Sequence, residues 1–317
     1  EGAAVTMQCL ELGASDFVTK PSGSVSNDIG KVAERLSELL LCFGGNYARK
    51  YNRKTFSNEQ IESVVQGYRN QNQKNLIDKQ NNNLEQTSDV SKPSEIEQIK
   101  TPFAPLTGFS KPKTPQVINP LREGGKIEII VIGISTGGPN ALREVFAKIS
   151  PDVKQPIVVV QHMPAGFTAE FARSLNNICP LEVKEASDGD ILKSGRVLIA
   201  PGNYHVYIEQ KSLASVVRLS DAEPRNGHRP SVDVLFESVA KIYQNRALGV
   251  IMTGMGRDGA NELAQMRKQG AWTLGQDEES SVVYGMPKVA YELGAVQKQV
   301  SLKDMAKEIS QLVLEHR

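Results

Sequence analysis

Short apolar runs alternate with amphipathic helical patterns along the second part of the chain. The apolar runs are residues 127–132, 157–160, 197–200, 248–252 and 271–274. Segments with apolar residues every three or four positions lie between them, at 139–149, 168–178, 231–243 and 260–269. Continuous apolar runs indicate strands buried on both faces, and this spacing predicts right-handed crossovers. The pattern therefore predicts a mainly parallel sheet covered by helices on both faces.

A pair of strand-like runs interrupts this alternation. Residues 204–209 and 214–219 are joined by residues 210–213, which predicts an antiparallel hairpin. We therefore predict that residues 124–317 fold as a doubly wound α/β sandwich with a mainly parallel sheet and one antiparallel hairpin.

Residues 1–43 have a pattern of their own. They predict a helix ending at Gly13, a short strand at 16–19 and a second helix with one apolar face. A glycine at that position suits a left-handed helix cap. Because so short a unit cannot bury two amphipathic faces, we expect it to be the end of a larger domain that begins before Glu1.

The composition changes over residues 44–123. Asn, Gln and Lys dominate residues 70–83, and prolines punctuate the stretch that follows. A segment with so few apolar residues cannot bury enough surface to offset its conformational entropy. We therefore predict that residues 44–123 form a flexible linker, which divides the chain into 1–43, 44–123 and 124–317.

Charge and cysteine content narrow the classes of protein. The chain has 37 basic and 36 acidic residues, so no overall field favours nucleic acid, and none is expected as a partner. The three cysteines are widely spaced and form no C-x-x-C pair, which argues against a disulfide framework or a zinc site. No apolar run is long enough to span a membrane, and no signal-peptide pattern is present. We expect a cytoplasmic protein that is not inserted in a membrane.

At three points where a predicted strand ends, the chain carries residues that suit a hydrolase site. Ser135 lies in a G-x-S-x-G pattern between a strand and a helix, where a sharp turn exposes a hydroxyl group. His162 and Asp258 each follow another predicted strand. A parallel sheet would bring all three to one edge. The chain thus supplies a possible nucleophile, a proton acceptor and an orienting carboxylate.

The serine and the histidine also have structural interpretations. A glycine-rich turn before a helix can bind phosphate, although this one lacks the second glycine of G-x-G-x-x-G and the lysine of a P-loop. His162 could be satisfied by local backbone. The other histidines are placed less well, because His205 begins a hairpin strand, His228 lies in a polar loop and His316 is next to the end of the chain.

Two other aspartates compete with Asp258. Asp190 lies near a predicted turn, and Asp233 is expected in the first turn of a helix, where it would complement the helix dipole. Asp258 could itself cap the helix that starts at Gly259, but its place after a strand favours it. The resulting order Ser, His, Asp differs from the Ser, Asp, His order of α/β-hydrolases, so the G-x-S-x-G pattern does not indicate that fold.

Five segments in order carry a family resemblance. They are IGISTGG at 132–138, QHMPAGFT at 161–168, APGNYH at 200–205, HRPSVDVLF at 228–236 and MTGMGRDGA at 252–260. Together they closely resemble the chemotaxis methylesterases of the CheB type. Five matched segments in order are far more specific than any one of them.

The resemblance implies an activity and roles for individual residues. Enzymes of this type hydrolyse glutamate 5-O-methyl esters on the cytoplasmic domains of chemoreceptors, release methanol, and in many cases deamidate receptor glutamines. It implies that Ser135 is the nucleophile, His162 the general base and acid, and Asp258 the carboxylate that orients the histidine. It also implies that the Thr136 hydroxyl assists the histidine side and that the Met255 N–H stabilises the oxyanion. Neither a metal nor a cofactor is expected for this chemistry.

A second resemblance covers the N-terminal segment. Residues 14–21, ASDFVTKP, resemble the C-terminal end of a response-regulator receiver domain. This implies that Lys20 contacts a phosphoryl group and that the full-length protein has a chemotaxis histidine kinase as a partner. The phosphoacceptor aspartate would lie before Glu1, so we expect catalytic capacity without phosphorylation control. An unrelated helical hairpin is the alternative.

Two other functions remain open from the residues alone. One is a nucleotide- or phosphate-binding α/β module that uses the turn at 135–138, and the other is a non-catalytic module that docks on receptors. The first lacks both an acidic ribose-binding residue at suitable spacing and a P-loop lysine.

Overall fold

The structure is a computed structural model that describes residues 2–18, 36, 39–40, 43–44 and 115–317. The chain divides into two compact units, Glu1–Phe43 with Pro112–Arg317, and Gly44–Lys111. Apart from Gly44, the second unit lies outside the described residues, as does the greater part of the predicted linker. The second predicted helix of residues 1–43 is described only in part.

A seven-stranded sheet forms the centre of the first unit. Its strands are β1 (Ile129–Ile134), β2 (Ile157–Gln161), β3 (Glu182–Glu185), β4 (Arg196–Ile199), β7 (Ala247–Ile251), β8 (Trp272–Gln276) and β9 (Lys298–Val300). The order is β3-β4-β2-β1-β7-β8-β9, and every neighbouring pair is parallel. An antiparallel hairpin is made by β5 (His205–Gln210) and β6 (Ser215–Ser220). The predicted fold class is therefore confirmed.

Helices cover both faces of the sheet. They are α1 (Gly2–Glu11), α2 (Gly138–Phe146), α3 (Thr168–Asn176), α4 (Val232–Ile242), α5 (Ala260–Gln269), α6 (Met286–Glu292) and α7 (Leu302–Glu315), with a 3₁₀ turn at Gln244–Arg246. Side chains of β1 alternate between two apolar clusters, as the period of a strand requires. Ile130 and Ile132 pack in the cluster that contains α2, α3 and α7, whereas Ile129 and Val131 pack with α4, α5 and α6.

The two edge strands, β3 and β9, have no counterpart in the apolar pattern. Their sequences, EVKE and KQV, are mostly polar, because an edge strand is exposed and has no need of a continuous apolar run. The predicted strand at 16–19 is also absent from its described residues, 16–18, which have no regular structure. Thr19 lies outside the described residues.

The N-terminal segment packs on α2 and α3. The rings of Phe17 and Phe167 stack with their centroids 4.8 Å apart. Glu11 accepts hydrogen bonds from Arg143 and from Ser174, at 3.0 and 2.7 Å. Gly13 has φ 107°, which agrees with the predicted left-handed cap. Residues 14–18 therefore lie beside the loop that precedes α3.

Residues 115–123 run along the same unit. The Gln116 N–H donates to the Glu292 carbonyl at 3.1 Å, and the Leu121 N–H donates to the Lys268 carbonyl at 2.8 Å.

Among the helices of the described ranges, none combines the length and the apolar composition that crossing a membrane requires.

Candidate active site

The three predicted site residues meet at the carboxyl edge of the sheet. Ser135 follows β1, His162 follows β2 and Asp258 follows β7, and β1 lies between the other two strands. The Ser135 N–H donates to the Thr253 carbonyl at 2.9 Å, and the His162 N–H donates to the Ile134 carbonyl at 3.2 Å. These backbone hydrogen bonds continue the strand pairing and fix the positions from which the side chains leave.

The side chains of these three residues form a continuous hydrogen-bonded array. The Nδ1 atom of His162 lies 3.1 Å from Oγ of Ser135, and Nε2 lies 2.8 Å from Oδ2 of Asp258. Since an ionised carboxylate only accepts hydrogen bonds, Nε2 carries the proton and Nδ1 accepts from the serine hydroxyl. In trypsin-like enzymes the two ring nitrogens have the opposite partners. Here Nδ1 faces the serine and Nε2 faces the aspartate, but the histidine still links the serine to the carboxylate.

Asp258 is held by four groups besides His162. Its carboxylate accepts from the Ser231 hydroxyl at 2.7 Å, the Asn226 amide at 2.8 Å, and the N–H groups of Val232 and Asp233 at 2.6 and 3.3 Å. Burial alone would raise the pKa of this carboxyl, but the hydrogen bonds from His162, Asn226 and Ser231 hold the pKa far below its ordinary value. Asp258 is therefore an anion throughout the neutral range.

Asp258 and Asp233 each cap the helix to which the other belongs. Asp258 precedes α5 but accepts the first N–H groups of α4, while Asp233, in the first turn of α4, accepts the Gly259 N–H of α5 at 3.0 Å. Burial and the nearby charge of Asp258 raise the pKa of Asp233. The alternative that Asp258 caps its own helix does not match these contacts. The exchanged caps hold the start of α4 against the start of α5.

Polar side chains beneath the site support its loops, and the sequence did not indicate them. The Gln161 amide donates to the carbonyls of Ser135 and His162, at 2.9 and 3.1 Å. The Thr253 hydroxyl donates to the Thr136 carbonyl at 3.0 Å, and Gln276 accepts the Thr253 N–H at 2.9 Å. Buried polar groups are costly unless hydrogen-bonded, so these side chains give each loop one preferred conformation.

Of the remaining predicted site residues, Thr136 and Met255 lie in described parts of the chain. Thr136 is buried beside Ser135, and Met255 is half-buried in the loop between β7 and α5. Within the described ranges no hydrogen bond donated by the Met255 N–H is found. Lys20 lies outside the described residues.

Two of the other histidines, His205 and His228, and the nearby Arg225 have defined contacts around the site. His205 is buried and accepts the Ser231 N–H at 3.2 Å, so it supports α4. His228 stacks on His162 with ring centroids 3.8 Å apart, a contact that its polar loop did not suggest. The Arg225 guanidinium donates to the carboxylates of Glu237 and Glu262.

This geometry defines a class of protein. A serine, a histidine and a buried carboxylate, joined by hydrogen bonds at the carboxyl edge of a parallel sheet, are the arrangement of serine hydrolases. The chain order Ser, His, Asp separates this chain from the α/β-hydrolase fold.

Comparisons with known proteins identify the family. A family model described as CheB methylesterase matches residues 130–309. Protein-glutamate methylesterase/protein-glutamine glutaminase of Treponema denticola is 53% identical over 98% of this chain and 74% of that protein. The protein of the same name from Treponema pallidum is 51% identical over 98% of this chain and 75% of its own length.

A solved structure agrees with these matches. The crystal structure of the Thermotoga maritima CheB methylesterase catalytic domain has a TM-score of 0.58 and 38% identity, covering 60% of this chain and 99% of that one. The chain belongs to the CheB methylesterase family. The resemblance read from five sequence segments, and the ester-hydrolase class inferred from it, are confirmed.

Proposed function

We propose that this chain hydrolyses glutamate 5-O-methyl esters on the cytoplasmic domains of chemoreceptors, with Ser135 as the nucleophile. The observation that carries the proposal is the hydrogen-bonded array from Ser135 through His162 to Asp258. Membership of the CheB methylesterase family supports the choice of substrate. The proposal places the enzyme in chemotaxis adaptation in the cytoplasm, where receptor methyl groups are removed.

The first half of the reaction forms an acyl-enzyme. Oγ of Ser135 attacks the ester carbonyl carbon while Nδ1 of His162 takes the hydroxyl proton. The tetrahedral intermediate then collapses, the bond to the methoxy oxygen breaks, and that oxygen leaves as methanol with the proton from Nδ1. Asp258 stabilises the imidazolium that exists between these steps, because its carboxylate stays ionised and accepts from Nε2.

Water completes the cycle in the second half. Nδ1 of His162 takes a proton from a water molecule, which attacks the acyl carbon. The bond between that carbon and Oγ of Ser135 then breaks, and Oγ takes the proton back from Nδ1. The products are a free glutamate side chain and the starting enzyme. The same series of steps on a glutamine side chain would release ammonia, which accounts for a deamidase activity at the same site.

Two groups near Ser135 are proposed to serve the transition state. The Met255 N–H is assigned to the oxyanion, since it has no acceptor within the described ranges and lies on the loop that carries Asp258. Thr136, buried next to the nucleophile, is assigned to the histidine side through its hydroxyl.

The proposal extends to the N-terminal part of the chain. Residues 1–43 are assigned to the end of a receiver domain, residues 44–123 to a linker and residues 124–317 to the catalytic domain. The contact of Phe17 with Phe167, in the loop that begins at His162, supports a regulatory role for the first segment. Lys20 is assigned to phosphoryl contact, and a histidine kinase to phosphorylation of the full-length protein.

An isotope experiment tests the reaction. The purified chain is incubated in H₂¹⁸O with receptor membranes that carry methyl esters, and methanol and receptor peptides are measured by mass spectrometry. We expect methanol without ¹⁸O and one ¹⁸O atom in each new carboxylate, because water attacks the acyl carbon. A phosphate-binding or docking module would release no methanol, and that result would refute the proposal.

Gly254→Ala is expected to lower both stability and activity. A Cβ atom at residue 254 would lie 2.8 Å from Cβ of Ser135 and closer still to Sδ of Met286. Overpacking of this kind costs about 1–3 kcal/mol, and a displaced Ser135 would lose its contact with His162. Urea denaturation and methanol release measure the two effects. Gly2→Ala is the control, since a Cβ atom at residue 2 would have no neighbour within 4 Å; equal activity of the two variants would contradict the prediction.

A further inference from the structure

A tight turn lies against two members of the proposed triad. The Arg225 N–H donates to the His228 carbonyl at 3.1 Å, and the His228 N–H donates back to the Arg225 carbonyl at 3.0 Å. The two central residues, Asn226 and Gly227, have φ 55° and 78°. Positive φ at both central positions defines a type I′ turn, for which Asn-Gly is the favoured pair. We call residues 225–228 the Asn-Gly turn.

The first residue of the turn anchors it to two helices. The Arg225 guanidinium donates to Glu237 of α4 and, at 2.9 Å, to Glu262 of α5. Its Nε atom lies 3.9 Å from the Asp233 carboxylate. An arginine engaged by carboxylates from two elements is held in one orientation. The turn is therefore fixed to the place where α4 and α5 begin.

The second residue bridges two carboxylates. The Asn226 amide nitrogen donates to Oδ1 of Asp258 at 2.8 Å and to Oδ2 of Asp233 at 2.6 Å. An amide nitrogen has two hydrogens, and both are used here. Two neighbouring carboxylates repel each other when both are ionised. A shared neutral donor opposes that repulsion and holds the Asp258 carboxylate in the orientation that faces His162.

The last residue of the turn contacts the histidine. The ring of His228 lies parallel to that of His162, with 3.8 Å between centroids and 14° between planes. His162 can transfer a proton only when Nδ1 faces Ser135 and Nε2 faces Asp258, so a tilt of its ring would break both hydrogen bonds. A parallel ring against one face restricts that tilt.

We propose that the Asn-Gly turn is a positioning element of the triad: Asn226 fixes the Asp258 carboxylate, and His228 fixes the plane of the His162 ring. This inference rests on the proposed function of the triad. Neither side chain exchanges a proton with substrate. The effect of both is to keep the proton acceptor Nδ1 aligned with Ser135, which lowers the barrier of the chemical steps without contributing to receptor binding.

Two substitutions at residue 226 separate the amide from the turn. Asn226→Gly keeps the positive φ and removes the donor, and Asn226→Asp keeps size and turn preference but replaces the donor by a third carboxylate. We expect Asn226→Gly to lower kcat for methanol release by about 10- to 100-fold at unchanged KM. Asn226→Asp should lower kcat at least as much. A purely structural turn would tolerate both variants, so wild-type kcat in both would overturn the proposal for Asn226.

Substitutions at residue 228 test the stacking contact. His228→Ala is expected to lower kcat by about 2- to 10-fold at unchanged KM, and His228→Phe, which keeps a flat ring, should recover most of the loss. If His228→Ala has wild-type kcat, or His228→Phe is no better than His228→Ala, the stacking role is wrong. Melting temperatures of all variants are compared with that of Glu223→Ala, an exposed residue before the turn that should behave as wild type.

One benchmark separates failure of the inference from failure of the proposed function. Ser135→Ala is measured in the same assay. If it retains activity, the triad assignment is wrong. If it is inactive while Asn226→Gly, Asn226→Asp and His228→Ala all keep wild-type kcat, the triad assignment stands and only the positioning role of the turn is overturned.

Discussion

Ser135→Ala is expected to reduce the rate of methanol release by a factor on the order of 10⁶. The variant has no hydroxyl to attack the ester, so neither the acyl-enzyme nor the division of hydrolysis into two easier steps is available. His162 and the oxyanion donors remain, and they can assist only a direct attack by water. The rate is measured as methanol released from methylated receptor membranes under single-turnover conditions.

The fold should survive this change. Ser135 is 6% exposed and its side chain contributes one described hydrogen bond, to Nδ1 of His162. Loss of that contact costs about 1 kcal/mol, so the melting transition should stay cooperative. Ser212→Ala, in the exposed turn between β5 and β6, is the matched control with full activity expected. A Ser135→Ala rate within tenfold of the control would contradict Ser135 as nucleophile.

The central elements could be predicted from the sequence because burial leaves a strong pattern. Strands β1, β2 and β7 are buried along their whole length, so each appears as a continuous apolar run whose end marks a possible site residue. The predicted helix at 260–269 coincides with α5. In a parallel sheet, residues that follow two adjacent strands lie at the same edge. Ser135 and His162 could therefore be placed side by side without any knowledge of side-chain packing.

The surroundings of the triad could not be predicted in this way. The letters Asn226-Gly227 indicate a turn, but nothing local shows that this turn reaches Asp258, since that depends on how α4 and α5 pack at their first residues. From the sequence, Gln161 is expected only to end a strand. Its contacts with the Ser135 and His162 carbonyls form only when β1 and β2 pair. Interactions between residues distant in the chain carry this information.

Asp258→Asn is expected to lower kcat by about 10⁴-fold, because it changes which ring nitrogen of His162 carries the proton. In the native array Nε2 donates to the carboxylate and Nδ1 accepts from Ser135. Three of the four other donors, from Asn226, Ser231 and Asp233, contact Oδ1, and only the Val232 N–H shares Oδ2 with His162. The amide oxygen of the variant would therefore face the three donors, and its NH₂ group would face Nε2. Nε2 must then accept, the proton moves to Nδ1, and Nδ1 can no longer take the serine proton.

Asp233→Asn is the matched control for this prediction. Asp233 is also buried, contacts the same Asn226 amide and accepts the Gly259 N–H, but its described contacts do not include His162. Its amide oxygen can still accept from Gly259, so the exchange of caps between α4 and α5 persists and the loss of kcat should be far smaller. Steady-state methanol release gives kcat for both variants, and ¹⁵N spectra of the imidazole report the tautomer directly. Equal losses in the two variants, or an unchanged Nε2–H tautomer in Asp258→Asn, would show that the negative charge near α4 and α5, rather than the orientation of His162, is what Asp258 supplies.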